Sequence, residues 1–259
     1  MKKIGALLYG VICYMAFFGS FSYLMGFTGN LIVPKGIDGP LEVPFWQAIL
    51  TNVGLIALFA VQHSIMARAW FKKRWLKIIP EHVERSTYVL LSSLALIVLF
   101  YFWQPMGGVI WQVESPVLQT LIWAAFGIGY ALVFISSFLI NHFDLFGLRQ
   151  VWLYFKGKPY TNLEFKTPFL YQYVRHPLYF GVLLAFWSAQ TMSYTRLLFA
   201  LVFTVYVIRA IRWEENDLIR FFGDKYRKYA ERVPMILPRL KAKGSEESPF
   251  QSIAKNKPQ

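Results

Sequence analysis

The chain has 259 residues, of which 56% are hydrophobic, 19% aromatic and 16% charged. A soluble domain carries about 25% charged residues and a disordered chain has few aromatic ones, so this composition excludes both classes. The net charge of +13 would suit a nucleic-acid binder, but the sequence shows no DNA- or RNA-binding motif. We therefore predict an all-α, polytopic membrane helix bundle with no nucleic-acid partner, whose positive charge sets its orientation and attracts anionic membrane lipid.

Apolar runs that could cross a membrane follow one another along the chain. A span needs about 20 apolar residues, and four runs meet this requirement, at 4–27, 44–66, 86–103 and 117–140. The first run outlasts the apolar part of a signal peptide, so we expect it to be a span. A fifth apolar region, 177–211, is long for one helix and short for two. It predicts a helical hairpin that turns at 192–194, which gives five to six transmembrane helices.

The basic residues occur in alternate loops. Of the 27 Lys and Arg residues, 24 precede the first run, follow the second or fourth, or come after the fifth region. Cytoplasmic loops carry such an excess, so we expect both termini in the cytoplasm and an even number of crossings, which favours six. We predict one membrane domain at 1–240, with four spans in 1–140 and a cofactor-binding half in 141–240. The tail, 241–259, has the composition of a disordered segment.

Polar and charged residues collect at the cytoplasmic ends of the predicted spans, whereas the other loops are chemically bland. The five clusters are Gln62–Ser64 with Arg68, Glu84–Tyr88, Asn141–Gln150, Arg175–Gly181 and Arg209–Asp217. Any one of them is compatible with helix capping or an interfacial side chain. Their common depth predicts a single pocket. The one cysteine, Cys13, permits no intramolecular disulfide, and we expect it to be a packing residue.

The cluster Arg175–Gly181 has the features of a helix start. Proline suits the first helical turn, so Pro177 places Arg175 and His176 just before a helix N-terminus. Free backbone N–H groups there favour an anion, such as the carboxylate of an amino-acid-like cofactor. Gly181 would let a ligand approach the backbone, and Tyr179 would stack on or hydrogen-bond to an aromatic base. A capped interfacial helix explains the pattern equally well.

The last cluster continues the final span as a helix. Successive helical residues point about 100° apart, so we expect one of Glu214 and Glu215 to face the pocket and the other to face solvent. A carboxylate can accept two hydrogen bonds from ribose hydroxyls, although a surface Arg–Glu pair is the commoner reason for such spacing. Arg209 lies within an apolar run, where arginine is costly, so we expect it to be paired or to line a cavity.

These motifs carry a family resemblance. Arg175–Gly181, followed by Glu214-Glu215, Phe222-Gly223 and Val233-Pro234, resembles the cofactor-binding half of the isoprenylcysteine carboxyl methyltransferase and phospholipid methyltransferase superfamily. The N-terminal two-thirds resembles the NnrU-like branch, through Gln62–Ser64, Glu84–Tyr88 and His142–Gln150. Within that branch, nearly the whole chain is similar to bacterial enzymes that methylate thiols.

The resemblance implies a reaction and a cofactor site. It implies an enzyme of the bacterial inner membrane that uses S-adenosylmethionine to methylate a small thiol, methanethiol, in line at the cytoplasmic face, giving dimethyl sulfide. The cofactor-binding residues that it implies are Arg175, His176, Tyr179, Gly181 and Glu214 or Glu215.

Thiol methylation also requires a thiolate. A simple alkyl thiol is less acidic than a cysteine side chain, whose pKa is about 8.5, so a nearby base or cation is needed. His142 is the first candidate for the general base, with Asp144 or a backbone carbonyl orienting its ring, and His63 is the second. Arg85, Tyr88 and Arg149 would line the pocket or favour the anion. Alternatively, His142 merely caps the fourth span.

Other functions stay open at this stage. The acceptor could be a lipid amine or a prenylcysteine carboxylate. NnrU-like proteins also resemble a haem-dependent isomerase, for which His63, His142 and His176 would supply a bis-histidine pair. A non-enzymatic component of nitrogen-oxide metabolism would leave the motifs without a role. The sequence does not indicate the oligomeric state.

Overall fold

The structure is a computed structural model that describes residues 1–161 and 163–238, so the predicted disordered tail at 241–259 lies outside the described residues. The helices are α1 (Lys2–Gly29), α2 (Phe45–Met66), α3 (Ala69–Trp75), α4 (Glu81–Phe102), α5 (Pro116–Ile140), α6 (His142–Leu145), α7 (Leu148–Lys156), α8 (Pro177–Trp187), α9 (Tyr194–Phe222) and α10 (Asp224–Arg232). A 3-10 turn covers Phe169–Gln172, and two short strands, β1 (Val109–Gln112) and β2 (Thr191–Ser193), form the sheet.

Five of these helices, α1, α2, α4, α5 and α9, are long and apolar enough to cross a membrane. Helices form there because only a helix satisfies every backbone N–H and C=O group within its own segment in lipid. Their faces carry many exposed large apolar side chains, such as Leu8, Leu50 and Phe138. The prediction of an all-α membrane bundle is therefore confirmed.

The predicted C-terminal hairpin forms, but its two arms are unequal. Helix α8 has 11 residues, which span about 16 Å at 1.5 Å per residue and are too few to cross the bilayer core as a helix. Residues 188–190 then lead into β2, which pairs antiparallel with β1. Ala189, Met192 and Ser193 are buried, which is where non-helical backbone is tolerated at membrane depth. The turn lies where the sequence predicted it, and α9 continues 11 residues beyond Ile211.

The two ends of the bundle differ in chemistry. The end where α2 stops and α4 begins carries His63, Arg85 and Glu214, and we call it the polar end. The opposite end carries the β1–β2 pair, and we call it the sheet end. Packing of α8 along α5, of α1 along α4, and of α2 against α4 and α9 connects the two ends.

The sheet end is less bland than the sequence suggests. The Arg196 Nε atom donates to Asp38 at 2.5 Å, and Ser193 Oγ donates to the same carboxylate. Nearby, the buried Trp103 donates through Nε1 to the Ile37 carbonyl at 3.0 Å. These bonds fasten the segment between α1 and α2 over the aromatic core.

Candidate active site

Glu215 is the centre of a charged cluster at the polar end. Its Oε1 atom accepts from Arg175 Nε at 2.6 Å, His176 Nε2 at 3.0 Å and Tyr226 Oη at 3.3 Å. Arg175 also donates to the carbonyls of Ala230 and Val233. Burial, followed by the Glu215 charge, raises the pKa of Tyr226, so this phenol stays protonated and donates. Arg175 and His176 therefore hold Glu215 and α10 in place, which is a different task from the direct contact with an anion predicted for them.

Glu214 lies one residue earlier on α9 and also faces the protein. Tyr179 Oη, from α8, donates to Glu214 Oε2 at 2.9 Å. The expectation that one of the two carboxylates faces solvent is thus wrong, since α8 and α10 supply partners for both. Tyr179 is the one hydrogen-bond partner of Glu214 among the described residues, so this carboxylate keeps accepting capacity for a ligand.

Gly181 has a packing role that the sequence did not indicate. A Cβ atom at this position would lie 2.5 Å from the Gly129 carbonyl oxygen and 2.9 Å from Leu132 Cβ. Gly129 faces it reciprocally, since a Cβ there would lie 2.7 Å from the Gly181 oxygen. The backbone of α5, and no ligand-sized space, occupies the position. The prediction that Gly181 lets a ligand approach is therefore corrected.

His63 forms a group with Ser92 and Tyr88. Ser92 Oγ lies 3.1 Å from His63 Nδ1, and Tyr88 Oη lies 2.8 Å from Nε2 and 3.0 Å from Nδ1. The Arg85 guanidinium lies 4.8 Å from the centre of the Tyr88 ring. The structure therefore brings together three residues that the sequence assigned to the base and to the substrate pocket.

His142 forms a second group of the same composition. Its Nδ1 atom lies 2.8 Å from Ser137 Oγ, and its Nε2 atom lies 2.8 Å from Tyr14 Oη. The ring is buried and stacks on Phe138 at a centroid distance of 4.2 Å. Burial lowers the pKa of His142 below its usual 6.5. Ser137, and not the expected Asp144, orients this ring.

Asp144 belongs instead to a polar group with Arg149. Its Oδ1 atom accepts from Arg149 Nη1 at 2.8 Å, and its Oδ2 atom accepts from Tyr160 at 3.3 Å. Arg149 also donates to Thr161, so the pair ties α7 to the loop that follows it. Asp144 points away from His142 because α6, His142–Leu145, is a separate helical turn whose first and third side chains diverge.

A cavity of about 500 Å³ opens beside the Asp144 group. Its charged and polar lining includes Lys72, Glu84, Arg85, Asp144, Gln150 and Tyr160. Burial, followed by the neighbouring Arg85, lowers the pKa of Lys72. Arg85 reaches from this cavity to the His63 group, since its Nε atom donates to the Leu145 carbonyl at 2.7 Å while its guanidinium covers Tyr88.

An ion pair joins the end of α2, which carries His63, to the part of α9 that carries the carboxylates. Arg68, just after α2, donates through Nη1 to Asp217 Oδ2 of α9 at 2.8 Å. Tyr88 and His63 therefore lie in one polar layer with the residues predicted to bind the cofactor. Phe146 packs against the cluster that contains Tyr88, and its ring centre lies 4.8 Å from that of His142.

The positions of Arg209 and of the three histidines bear on two other expectations. Arg209 is exposed, and its guanidinium lies 5.9 Å from the Trp213 ring, so it lines no part of the site. The face of α9 that carries Arg209 points away from the bundle. The apolar residues around Arg209 gave no indication of this orientation. For the haem alternative, His63, His142 and His176 each bond to different side chains, and their contacts favour no shared iron.

Sequence reasoning missed the partners that fix the two imidazoles. Tyr14 lies 128 residues from His142, and Ser92 lies 29 residues from His63. No local motif connects positions so far apart. Ser137 lies five residues from His142, and a serine at that spacing before a histidine was the one available signal.

Comparison with known proteins places this site in a family. Residues 124–225, which include Arg175 and Glu214, match the phospholipid methyltransferase family. The methanethiol S-methyltransferase of Crocosphaera subtropica is 50% identical over 238 residues, which are 92% of this chain and 93% of that protein. The chain belongs to the methanethiol S-methyltransferase family. The Mycobacterium tuberculosis member is 45% identical over 92% of this chain and 98% of its own length.

Membership in this family makes the chain a methyltransferase that requires a methyl donor. Its five apolar helices make it an integral membrane protein. The fold is shared beyond the family, because nurim from Xenopus laevis is 30% identical over 231 residues, or 80% of each chain. No solved structure matches the chain.

Proposed function

We propose that this chain transfers a methyl group from S-adenosylmethionine to a small thiol, and that the thiol is methanethiol, so that dimethyl sulfide is the product. The observation that carries the proposal is the single polar layer that contains Glu214, Tyr179, Arg85, Tyr88 and His63, across which Arg68 bonds to Asp217 at 2.8 Å. In this proposal Glu214 and Tyr179 serve a nucleoside cofactor, and Arg85, Tyr88 and His63 serve the formation of a thiolate.

The cofactor proposal is supported by the chemistry of the donors. Glu214 keeps accepting capacity for ribose hydroxyls, and no side chain caps the N-terminus of α8 at His176. Uncapped N–H groups and the helix dipole favour the cofactor carboxylate. S-adenosylmethionine, when bound, supplies an electrophilic methyl group on a sulfonium sulfur. In this proposal Glu214 and Tyr179 contact the cofactor, whereas Arg175 and His176 hold Glu215 in position.

For the thiolate, the geometry favours His63 over His142. A general base must lie near both the proton that it accepts and the group that reacts. His63 contacts Tyr88 in the polar layer, and the Arg85 guanidinium there stabilises an anion. His142 lies beyond Phe146 and stacks on Phe138, so we assign it a structural role.

The methyl acceptor is indicated by how much of the chain each group of relatives matches. The phospholipid methyltransferase match begins at residue 124, after the segments that supply His63 and Arg85. Relatives named for methanethiol match over 92% of the chain. The half that would select the acceptor thus resembles thiol methyltransferases. The cavity of about 500 Å³ is lined by Arg85, which also covers the Tyr88 ring, so we propose that a small thiol enters from this side.

We also propose the orientation in the membrane. Lys and Arg residues are concentrated in the loops at the polar end, which supports a cytoplasmic location for that end in a bacterial inner membrane. Both chain termini would then be cytoplasmic.

The test combines binding with product detection. Purified protein in detergent is titrated with S-adenosylmethionine by calorimetry, then supplied with methanethiol while headspace dimethyl sulfide is measured. We expect both binding and product. Glu214→Gln should weaken cofactor binding by about tenfold or more, since hydrogen bonds to charged groups contribute about 1.5–3 kcal/mol.

The matched control is Glu231→Gln, which removes an exposed carboxylate of α10 and should leave the affinity unchanged. Equal affinity in all three proteins would contradict the ribose assignment. If methylated lipid forms and dimethyl sulfide does not, the methyl acceptor is a lipid amine and not a thiol.

A further inference from the structure

We propose that Arg209 and Arg212, on the outward face of α9, bind the headgroup of an anionic glycerophospholipid beside the Trp213 ring. The site lies on the surface of the bundle and does not depend on which methyl acceptor the chain uses. It gives a role to Arg209, which lines no part of the candidate active site.

The face of α9 that carries Arg209 is apolar and outward-facing along the rest of the span. Leu201 and Val205 lie two turns and one turn before Arg209, and their exposed fractions are 47% and 64%. Residues four apart on a helix share a face, and α9 is long and apolar enough to cross a membrane. Acyl chains of the surrounding lipid therefore pack along this stripe as far as Arg209.

Arg209 lies near the polar end of the span. It comes 15 residues after Tyr194, where α9 begins, and this separation is about 22 Å along the helix axis at 1.5 Å per residue. The hydrocarbon core of a bilayer is about 30 Å thick. The long side chain of Arg209 can therefore extend to the headgroup level, and Arg212 lies closer still to that level.

The charges of Arg209 and Arg212 are available to a ligand. Arg68, Arg175 and Arg196 each form an ion pair, whereas the exposed Arg209 and Arg212 form none within residues 1–161 and 163–238. An arginine on a lipid-facing surface is costly unless an anion or water compensates its charge. Phosphate groups of the adjoining leaflet are the anions within reach. Two cations favour a headgroup with net negative charge, because a zwitterionic headgroup carries a cation of its own.

Trp213 supplies an aromatic surface between the basic side chains. The guanidinium groups of Arg209 and Arg68 each lie 5.9 Å from its ring centre, within the range of a cation–π contact. Arg68 is held in turn by Asp217 at 2.8 Å, which fixes the indole against the end of α2. Trp213 is 40% exposed, and tryptophan prefers the headgroup level of a membrane. Basic surfaces between membrane helices are typical sites for anionic headgroups.

The test measures lipid binding to delipidated protein in detergent by native mass spectrometry, with dioctanoyl phosphatidylglycerol as the probe. Arg209→Gln combined with Arg212→Gln should weaken binding of the tightest-bound lipid by about 25-fold, since each arginine near an anionic headgroup contributes about fivefold. Each single variant should weaken it by about fivefold, so the result does not depend on folding of the double variant. Dioctanoyl phosphatidylcholine, whose headgroup has no net charge, should show no such loss.

The matched control combines Arg220→Gln with Arg227→Gln, which removes the same charge from exposed positions beyond the span. Its affinity for phosphatidylglycerol should equal that of the wild-type protein. An equal loss in both double variants would mean attraction by net charge alone and would overturn the site, as would no loss in either. Displacement of the lipid by an equimolar amount of inorganic phosphate would assign the two arginines to a free anion and reject the lipid.

Discussion

His63 and His142 have the same kinds of hydrogen-bond partner and opposite surroundings. Each has a serine hydroxyl near Nδ1 and a tyrosine hydroxyl 2.8 Å from Nε2, and each serine donates its own proton to a helical carbonyl. The Tyr88 hydroxyl differs in also lying 3.0 Å from His63 Nδ1. His63 lies beside Tyr88, whose ring the Arg85 guanidinium covers, whereas His142 lies among phenylalanine rings.

The difference teaches that a hydrogen-bond pattern alone does not make a base. Both groups fix one neutral tautomer, which is useful for accepting a proton and equally useful for satisfying a buried polar ring. Only the His63 group lies beside the residues that suit a cofactor. In the proposed function, nearby charge, and not the bonding pattern, is the reason for assigning the base role to His63 and a packing role to His142.

Replacing each histidine by glutamine is the most decisive test of this comparison. His63→Gln should lower kcat with methanethiol by about 10²–10⁴-fold, since an amide cannot take up a proton. His142→Gln should cost less than about tenfold. S-adenosylmethionine binding should survive in both, measured by calorimetry. A larger loss in His142→Gln would reverse the two roles.

The charge over Tyr88 should have a smaller effect. Arg85→Gln should lower kcat by about tenfold, because a desolvated cation–π contact contributes up to about 2 kcal/mol. Arg74→Gln removes an exposed cation that lies 5.4 Å from the Trp70 ring centre and serves as the control. Equal rates in the two variants would show that the Arg85 charge is not used.

The structural role of His142 predicts a loss of stability. Ser137→Ala leaves the buried Nδ1–H of His142 without its partner, which costs about 1–3 kcal/mol of unfolding free energy. Ser136→Ala is the control, since the buried Ser136 Oγ has no hydrogen-bond partner in the described part of the chain. Thermal unfolding in detergent measures both, and a Tm that falls equally would contradict the assignment.

The smallest effect is a pH dependence of stability. Burial lowers the pKa of His142 below 6.5, so the unfolded chain binds its proton more readily than the folded one. The stability from the neutral ring is complete above pH 6.5 and is lost as pH falls below it. Tm should therefore drop from pH 7 to pH 5, and less in His142→Gln. Parallel curves for the two proteins would count against this linkage.

The spans were predictable because lipid imposes length and hydropathy directly on the sequence. The unequal hairpin was not, since the pairing of β2 with β1 joins residues about 80 positions apart. The position of the polar layer at one membrane depth was predictable, because charged residues occur at the ends of the predicted spans. Its partners were not, since Tyr14 and Ser92 reach their histidines only through tertiary packing.

Glycine and arginine show why residue types can mislead. A glycine in a helix permits close approach by either a ligand or another helix, and the sequence does not distinguish them, so Gly181 was given the wrong neighbour. Arginine in an apolar run indicates pairing only if its face points inward. The face of α9 that carries Arg209 points outward.

The contact between Gly129 and Gly181 sets a rule for sequence variation. The backbones of α5 and α8 lie so close that even a methyl group at either position would overlap the other helix. A relative that carries a side chain at either position must move α8 away from α5. Because α8 begins at Pro177 and carries Tyr179, that displacement would shift a residue proposed to contact the cofactor, so these two positions determine which sequences can keep the same site geometry.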